Sequence, residues 1–420
     1  MPTMNAQTGR QALLSLFREK SLLGPLRIMF RHFGYFFHIP LPGFSPYVVS
    51  GAQANRLLLV SGREKLRWRN PDPVTDLLRH GLLVVDGEEH DELRGLMEKP
   101  LQPGQQPEFA EMICRQTDRV SADWGDGQVV DMLVEGRKIA LLVIMQALFG
   151  VDIWDDLARL WQPILKAIAY ISPGPWILWR RMPRFGYRKQ LAVLDAYLYG
   201  IISARRSAHP TGPTRHDLLG HLIAAGLDDG RIRDQMLTLL IAGHDTSTAL
   251  LAWTFALLGQ HPEVLTRLVL ELDENPGARP PLLDEVIKEA LRLYPPIHVG
   301  NRMVAESIPF KDGVVPAGER LFYSIYLSHR DPAVWENPDE FCPGRFSRGR
   351  SQPPFAYIPF GGGPRACIGA AFGLAEARIV MARLLQTFRF EPLNAGKIRA
   401  HMGATLEPRP GVMMKITHRT

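Results

Sequence analysis

One cysteine of this 420-residue chain stands in a glycine-rich stretch near the C-terminus, where it could bind a metal as a thiolate. Cys367 follows three consecutive glycines and Arg365, and Gly369 comes two residues after it. Glycine permits positive φ angles and close backbone approach, so a flat ligand could lie against this loop. Backbone N–H groups and the start of the following helix are expected to lower the pKa of the thiol. The alternative is a buried structural cysteine, because free cysteine usually behaves as a small hydrophobic residue.

A second group of unusual residues lies inside a long helical pattern over residues 217–260, where the sequence reads Ala242-Gly243-His244-Asp245-Thr246. Glycine in a helix interior costs about 1 kcal/mol relative to alanine, and aspartate and threonine are indifferent helix formers. We therefore interpret these residues as functional. The alternative is a locally distorted helix in which the threonine hydroxyl bonds back to a carbonyl.

The segment around the cysteine resembles the haem-ligand loop of the cytochromes P450, whose pattern is Phe-x-x-Gly-x-Arg-x-Cys-x-Gly. The five fixed positions of the pattern are met by Phe360, Gly363, Arg365, Cys367 and Gly369. The resemblance implies that Cys367 binds the iron of haem b as a thiolate and that Phe360 covers the sulfur. It also implies that Arg365 pairs with an anionic group of the haem.

The stretch around Asp245 resembles the oxygen-binding motif of the same family, Ala/Gly-Gly-x-Asp/Glu-Thr. In this motif the small residues, here Ala242 and Gly243, leave room for O₂ above the iron. The resemblance implies that Thr246 forms a hydrogen bond to O₂ and that Asp245 helps to deliver protons to it.

Three further residues resemble the family's ligands for the haem propionates. His90 and Arg94 are spaced i, i+4 in a helical pattern that follows Asp86, so both side chains point from one face. The corresponding helix of P450s binds propionates with His-x-x-x-Arg, and Arg302 matches a position where the family commonly has a propionate-binding arginine. The alternative for His90 and Arg94 is a solvated helix face.

A structural support is expected from Glu289 and Arg292, which fit the family's Glu-x-x-Arg motif. On an exposed helix face such a pair would contribute only about 0–1 kcal/mol. In the family it joins an arginine before the haem loop in a buried network, and Arg345 fits that place. Gly344 stands where the family often has an acidic residue, so one side-chain contact is expected to be missing.

The resemblance implies the cytochrome P450 fold, which is mainly α with a smaller β lobe (α+β), and it makes residues 47–420 a single haem-binding domain. Residues 1–46 are then an N-terminal segment. Its apolar run at residues 22–40 is interrupted by Gly24 and Pro25, so it falls short of the roughly 18–20 apolar residues of a membrane span. Its aromatic residues either pack in the core or form a peripheral surface with weak membrane contact.

Composition restricts the compartment and the partners. The chain has three cysteines, too few and too scattered for a disulfide framework, which indicates a reducing compartment such as the cytoplasm. The first ten residues lack the pattern of a signal peptide. The net charge is +6 and the pI is about 9.3, which favours acidic or anionic partners. No nucleic-acid-binding motif or long basic run is present, so nucleic acid is not an expected partner.

The activity implied by the resemblance is that of a monooxygenase. One oxygen atom from O₂ would enter a C–H or C=C bond of a lipophilic substrate, giving hydroxylation or epoxidation. The electrons would come ultimately from NAD(P)H, through a ferredoxin or flavodoxin and its reductase, to a monomeric enzyme. Such partners are often acidic, so a basic docking face is expected from Arg94, Lys99, Arg348 and Arg350.

Several alternatives share parts of this pattern. A peroxide-driven peroxygenase and a haem-thiolate isomerase or dehydratase would have less use for Asp245 and Thr246. A haem protein that carries electrons or senses gas would form no product, and a helical scaffold with an inert Cys367 would bind no haem. The substrate is expected to be moderately large, such as a fatty acid, terpenoid or polyketide. Its expected contacts are apolar and aromatic residues. They lie around 70–85, around 165–190, where residues 171–189 form a lid, and at 298 and 403.

Overall fold

Helices form most of the protein. The computed structural model describes residues 6–19, 21–40, 45–68, 72–101, 109–173, 186–208, 217–274 and 280–419. In chain order the α-helices of these ranges are α1 (Ala6–Glu19), α2 (Leu23–Phe33), α3 (Ala52–Arg56), α4 (Pro73–Leu78), α5 (Gly87–Glu98), α6 (Phe109–Ser121), α7 (Met132–Phe149), α8 (Leu157–Ile171), α9 (Tyr187–Ala208), α10 (Leu218–Ala224), α11 (Asp229–Gln260), α12 (Pro262–Glu274), α13 (Pro281–Leu293), α14 (Ile325–Ser328) and α15 (Ala370–Thr387).

The strands are short and form small sheets. They are β1 (Phe36–His38), β2 (Tyr47–Val49), β3 (Leu66–Arg67), β4 (Val129–Asp131), β5 (Val299–Val304), β6 (Ile308–Phe310), β7 (Gly313–Val315), β8 (Arg320–Ser324), β9 (Phe388–Pro392), β10 (Arg399–Met402), β11 (Leu406–Arg409) and β12 (Met413–His418). The largest sheet has the order β1-β2-β8-β5-β3, in which β2 and β8 are parallel. β4-β12-β9, β10-β11 and β6-β7 form the others in the described ranges. The predicted fold, mainly α with a smaller β lobe, is confirmed.

The helices α7 and α11 pack against each other in the core. Both are apolar around most of their circumference, which is typical of helices that are buried on all sides. Asp131 caps the start of α7 by accepting a hydrogen bond from the N–H of Leu133 at 3.0 Å. Asp228 caps α11 in the same way through the N–H of Arg231 at 2.9 Å. These caps satisfy N–H groups that the first turn leaves unpaired.

The N-terminal segment contributes α1, α2 and β1. β1 pairs with β2 in antiparallel register, with Phe37 opposite Val48, so this segment reaches the five-stranded sheet. Phe36 and Phe37 are buried, whereas Tyr35 is exposed. In the part of the chain that the structure describes, no helix has both the length and the apolar character needed to cross a membrane.

The segment before α5 is more ordered than its prolines indicated. Pro71, Pro73 and Gly81 are typical of an irregular loop over residues 66–86, but this segment contains α4. Asp72 and Thr75 form a capping box at its start, which offsets the helix-breaking composition. After α4 the backbone is held on α11 by Gln235, which donates to the carbonyl of His80 at 2.7 Å and accepts from the N–H of Leu82 at 2.8 Å.

The predicted buried network around Glu289 is confirmed. Arg292 donates to both oxygens of this carboxylate, at 2.7 and 2.8 Å, and both side chains are fully buried. Arg345 donates to Oε1 at 3.3 Å, and the N–H of Cys342 donates to the same atom at 2.9 Å. Gly344 adds no side chain, as expected. The network joins α13 to the segment that precedes the Cys367 loop.

Replacement of Glu289 by glutamine is expected to lower the free energy of unfolding by about 3–5 kcal/mol, because Arg292 would remain as a buried cation without its counter-charge. Urea unfolding of the purified protein measures this loss. The control is Glu391→Gln, which removes an exposed pair with Lys415 at 3.4 Å and is expected to change stability by less than about 1 kcal/mol. Equal losses in the two variants would contradict a supporting role for the network.

Candidate active site

A cavity of about 1420 Å³ lies between α11 and the loop of Cys367, and apolar side chains form most of its walls. It brings together residues that the sequence singled out at distant positions. Most of the predicted site residues line this cavity, namely His90, Arg94, Ala242, Gly243, Asp245, Thr246, Arg302, Phe360, Arg365, Cys367 and Gly369. Gly363 does not line it.

The loop of Cys367 is held by close backbone packing. Gly363 has a φ of 63°, and a Cβ at this position would stand 2.1 Å from the carbonyl oxygen of Leu59. Glycine is therefore required here, both for the left-handed conformation and for the approach to Leu59. The N–H of Cys367 donates to the carbonyl of Phe360 at 2.8 Å, which closes the loop before α15 begins at Ala370.

The thiol of Cys367 is desolvated but faces the cavity. Its side chain is exposed, and because the residue lines the cavity, that exposed surface faces the interior. Burial in the surrounding protein raises the pKa of the Cys367 thiol, while the N–H of Gly369 and the charge of Arg94 act in the opposite direction. The expectation that the loop alone would lower this pKa is therefore wrong. A metal cation at the sulfur would reverse the balance, because a coordinating thiol is deprotonated.

Arg94 and His90, from α5, reach the cavity from one side. Arg94 donates from Nη1 to the carbonyl of Ala366 at 2.7 Å, so it also braces the loop next to Cys367. His90 is buried, and its Nδ1 lies 2.7 Å from Oδ1 of Asp91. Burial lowers the pKa of His90, with the hydrogen bond to Asp91 opposing this fall. His90 therefore brings a neutral ring and Arg94 a positive charge.

Arg365 and Arg302 add two more positive charges at the cavity. Arg365 donates to Oδ1 of Asp86 at 2.7 Å and to the carbonyl of Val85. The guanidinium of Arg302 lies 4.6 Å from the ring centroid of Trp68. Burial, and then the nearby charge of Arg302, lower the pKa of Arg365 to about 10. This repulsion between cations fits a site for anionic groups such as the two propionates of haem.

Gly243 and Thr246 lie on an uninterrupted α11. A Cβ on Gly243 would stand 2.0 Å from Cδ1 of Ile144, so this glycine allows α11 to pack closely on α7 in addition to lining the cavity. The hydroxyl of Thr246 donates to the carbonyl of Ala242 at 2.6 Å. Threonine therefore satisfies its donor within the helix. This is the bond back to a carbonyl that the alternative interpretation of these residues predicted, although α11 continues through it.

Asp245 is buried within a charged cluster that the sequence did not reveal. Its Oδ2 accepts a hydrogen bond from the hydroxyl of Thr405 at 2.8 Å, and its Oδ1 lies 3.4 Å from Nη2 of Arg137. The same Nη2 contacts Glu407 more closely, and Glu407 also accepts from Arg409 at 2.8 Å. Burial, and then the charge of Glu407, raise the pKa of Asp245 to about 6. The carboxyl can therefore hold or release a proton near neutral pH.

The rest of the cavity wall bears on substrate binding. His298 is buried and lines the cavity, and burial lowers its pKa to about 4, so it is neutral at pH 7. Of the predicted lid, residues 174–185 lie outside the described residues. On either side of them Tyr170 and Tyr187 meet edge to face at 5.4 Å and line the cavity. Gly403 lines it from the turn between β10 and β11, as the sequence predicted.

Comparisons with known proteins show similarity along most of the chain. The sequence model of the family Cytochrome P450 matches residues 13–416. Cytochrome P450 138 of Mycobacterium tuberculosis is 32% identical over 381 residues, which cover 87% of this chain and 84% of that protein. Cyclooctatin synthase of Streptomyces melanosporofaciens is 30% identical over 359 residues, covering 80% of this chain and 78% of that protein.

A solved structure gives the same result for the fold. The cyanobacterial CYP120A1, determined with bound retinoic acid, superposes with a TM-score of 0.85 and 27% identity over 96% of each chain. The family uses haem, O₂ and electrons from a redox partner to oxidise lipophilic compounds. The match along nearly the whole sequence therefore shows that this chain belongs to the cytochrome P450 family and is a P450 monooxygenase.

Proposed function

We propose that the cavity holds haem b with Cys367 as the ligand of its iron. The observation that carries this proposal is a desolvated thiol that faces the cavity next to a group of arginines. Phe360 and Gly369 flank the sulfur in the loop, and Arg94, Arg302 and Arg365, with His90, would hold the propionates. The bound haem would supply the activation of O₂, and the protein would supply the ligand, the charges and the orientation.

Asp245 and Thr246 are the proposed proton-handling residues. Asp245 is buried, and because its pKa is raised to about 6, it retains its proton over part of the physiological pH range. Thr246 is half-buried in the cavity wall one residue further along α11. Ala242 and Gly243 line the cavity beside them, and their small size would leave room for O₂. A peroxygenase or an isomerase would have less use for an acid placed in this way.

The proposed substrate is a lipophilic molecule that undergoes hydroxylation or epoxidation. The walls away from the arginines are apolar and aromatic, with Leu78, Leu82 and Leu239 among the lining side chains. Burial of apolar surface would then supply most of the binding free energy. The retinoic acid bound by CYP120A1 is a compound of this kind.

An acidic ferredoxin or flavodoxin is the proposed electron donor, supplied by a reductase from NAD(P)H. Lys99, Arg348 and Arg350 are exposed and offer positive charge for docking. Arg94 is less available than the sequence suggested, because it is half-buried against the carbonyl of Ala366. Leu96, which is 39% exposed on the same helix, could provide an apolar centre for this face. The enzyme is proposed to act as a cytoplasmic monomer. Residues 47–420 are proposed as its haem-binding domain, to which the N-terminal segment adds strand β1 and part of the cavity wall, including Met29 and Ile39.

Replacement of Cys367 by serine tests the proposed ligand. The variant is expected to lose the carbon monoxide difference band that gives the family its name, because an alcohol oxygen does not replace the thiolate. Haem content and the spectrum of the reduced, carbon monoxide-treated protein are measured together. Cys342→Ser, at an exposed cysteine outside the cavity, is the control and should keep the band. An unchanged band in the Cys367→Ser protein would refute the assignment.

Replacement of Asp245 by asparagine tests the proton-handling role. Loss of a positioned acid is expected to lower the rate of product formation by about 100-fold. A larger share of the O₂ consumed should then be released as hydrogen peroxide instead of entering the product. The ratio of peroxide to product is measured with any substrate that binds. Asp229→Asn, at the exposed start of the same helix, serves as the matched control. Equal coupling in both variants would remove Asp245 from the mechanism.

Charge reversal tests the docking face. Lys99→Glu combined with Arg348→Glu is expected to slow reduction by an acidic ferredoxin by about tenfold at low ionic strength, because steering of the partner is lost. Stopped-flow measurements should show the difference shrinking as salt is added. Lys311→Glu lies in the exposed turn between β6 and β7 and changes the net charge by the same amount per site. It is the control for an effect of net charge alone. A slowing that is equal for Lys311→Glu would argue against a localised face.

A further inference from the structure

The hairpin of β10 and β11 connects three helices through neighbouring residues. The N–H of Ala404 donates at 3.0 Å to the hydroxyl of Ser172, which ends α8. Thr405 donates to Asp245 of α11, and Glu407 pairs with Arg137 of α7. The hairpin therefore contacts the cavity wall, the acid of α11 and the cation beside it.

The backbone between these side chains is fixed. The N–H of Leu406 donates to the carbonyl of Pro296 at 2.9 Å, and the carbonyl of Leu406 accepts from Nε1 of Trp253 at 2.8 Å. Leu406 itself is fully buried. Residues on either side of such an anchor are held in place, which is what a precise contact with Asp245 requires.

Two buried carboxylates share one buried guanidinium in this cluster. Nη2 of Arg137 is in close contact with Glu407 and 3.4 Å from Asp245. Arg137, Asp245 and Glu407 are each at least nine-tenths buried. Arg409 is about half exposed and pairs only with the outer oxygen of Glu407 among its described contacts. The cluster thus leaves Asp245 with the weaker share of the positive charge.

We propose that Thr405 and Glu407 are positioning residues for Asp245, with Thr405 holding the carboxyl and Glu407 competing with it for Arg137. This inference builds on the proposed proton-handling role of Asp245. The effect of the two residues on the reaction rests on that role, whereas their effect on the titration of Asp245 does not. Glu407 does not line the cavity, and Thr405, which does, has its hydroxyl engaged with Asp245. Each acts through the carboxyl of Asp245.

The charged and titratable groups around Asp245 act in known directions. From β11, Glu407 raises the pKa of Asp245, while Arg137 of α7, the hydroxyl of Thr405 and Arg409 lower it. On the same helix, burial lowers the pKa of His244 to about 3, so this neighbour stays neutral. The two proposed residues therefore act in opposite directions, which gives their variants opposite signatures.

Removal of each residue should move the titration of Asp245 in its own direction. Glu407→Gln is expected to shift the midpoint to lower pH, because a negative neighbour is lost. Thr405→Val is expected to shift it to higher pH, because the carboxylate loses a hydrogen bond that favours it. Thr405→Ser restores the hydroxyl and should return the midpoint to that of the wild-type protein.

Infrared titration of the carboxyl band in the haem-loaded protein measures these midpoints without turnover, with Asp245→Asn identifying the band. Glu391→Gln and Thr266→Val are the controls, because Glu391 pairs with exposed Lys415 and Thr266 bonds only within α12 among its described contacts. The ratio of released peroxide to product also depends on pH, and its midpoint should shift in the same direction as the midpoint of the carboxyl band. Agreement of the two readouts would link the positioning to the reaction.

Shifts in the same direction for Glu407→Gln and Thr405→Val, or no shift in either, would overturn the proposal. Failure of Thr405→Ser to restore the midpoint would overturn the part assigned to Thr405. If Thr405→Val does not fold, the midpoints of Glu407→Gln and Glu391→Gln are compared. This comparison still decides whether Glu407, which shares Arg137 with Asp245, affects its titration. Normal coupling in Asp245→Asn would instead remove the proposed proton-handling role of Asp245 and leave the infrared result standing.

Discussion

The sulfur of Cys367 lies where burial disfavours a negative charge and where one N–H group and one guanidinium favour it. The protein alone leaves this balance on the side of the neutral thiol. Coordination to a cation changes the sign, because the positive charge then lies at bonding distance from the sulfur. We therefore propose that a metal completes the site, and the haem that the P450 family uses would supply its iron.

The position of that sulfur depends on close packing at two glycines and on one buried ion pair. Gly363 lets the loop lie on the carbonyl of Leu59, and Gly243 lets α11 approach Ile144 of α7. Each glycine removes a side chain where two backbones or a backbone and a core residue come close. Gly243 and Ile144 line the cavity, whereas Gly363 fixes the Cys367 loop outside it. The buried Glu289–Arg292 pair holds the segment that leads into the loop. The position of the site is thus set by packing together with this buried ion pair.

Sequence motifs predicted the residues whose spacing is local, and they predicted little of what surrounds them. Cys367 and Gly363 belong to one loop, and Asp245 and Thr246 to one helix turn. Each pair is therefore close in the sequence and can be recognised within one motif. The contact of Asp245 with Arg137 spans 108 positions and that with Thr405 spans 160. No periodicity encodes such pairs, because the fold alone brings the elements together. The thiol pKa was mispredicted for the same reason, since desolvation depends on every neighbour and the motif shows only a few.

The charge beside Asp245 is more easily explained by function than by stability. The folded protein holds the pKa of Asp245 near 6, above its usual value of 3.8, so the acid form is favoured on folding. This stabilises the fold below about pH 4 and is lost as the pH rises through about 6, at a cost of about 3 kcal/mol. Apolar residues in place of a buried ionic cluster would often be as stable or more so. An acid that titrates near neutral pH is, however, most effective as a proton donor there. The charge of Glu407 adds to the rise in this pKa that burial causes, so under the proposed function it would favour proton delivery by Asp245 at the expense of the fold.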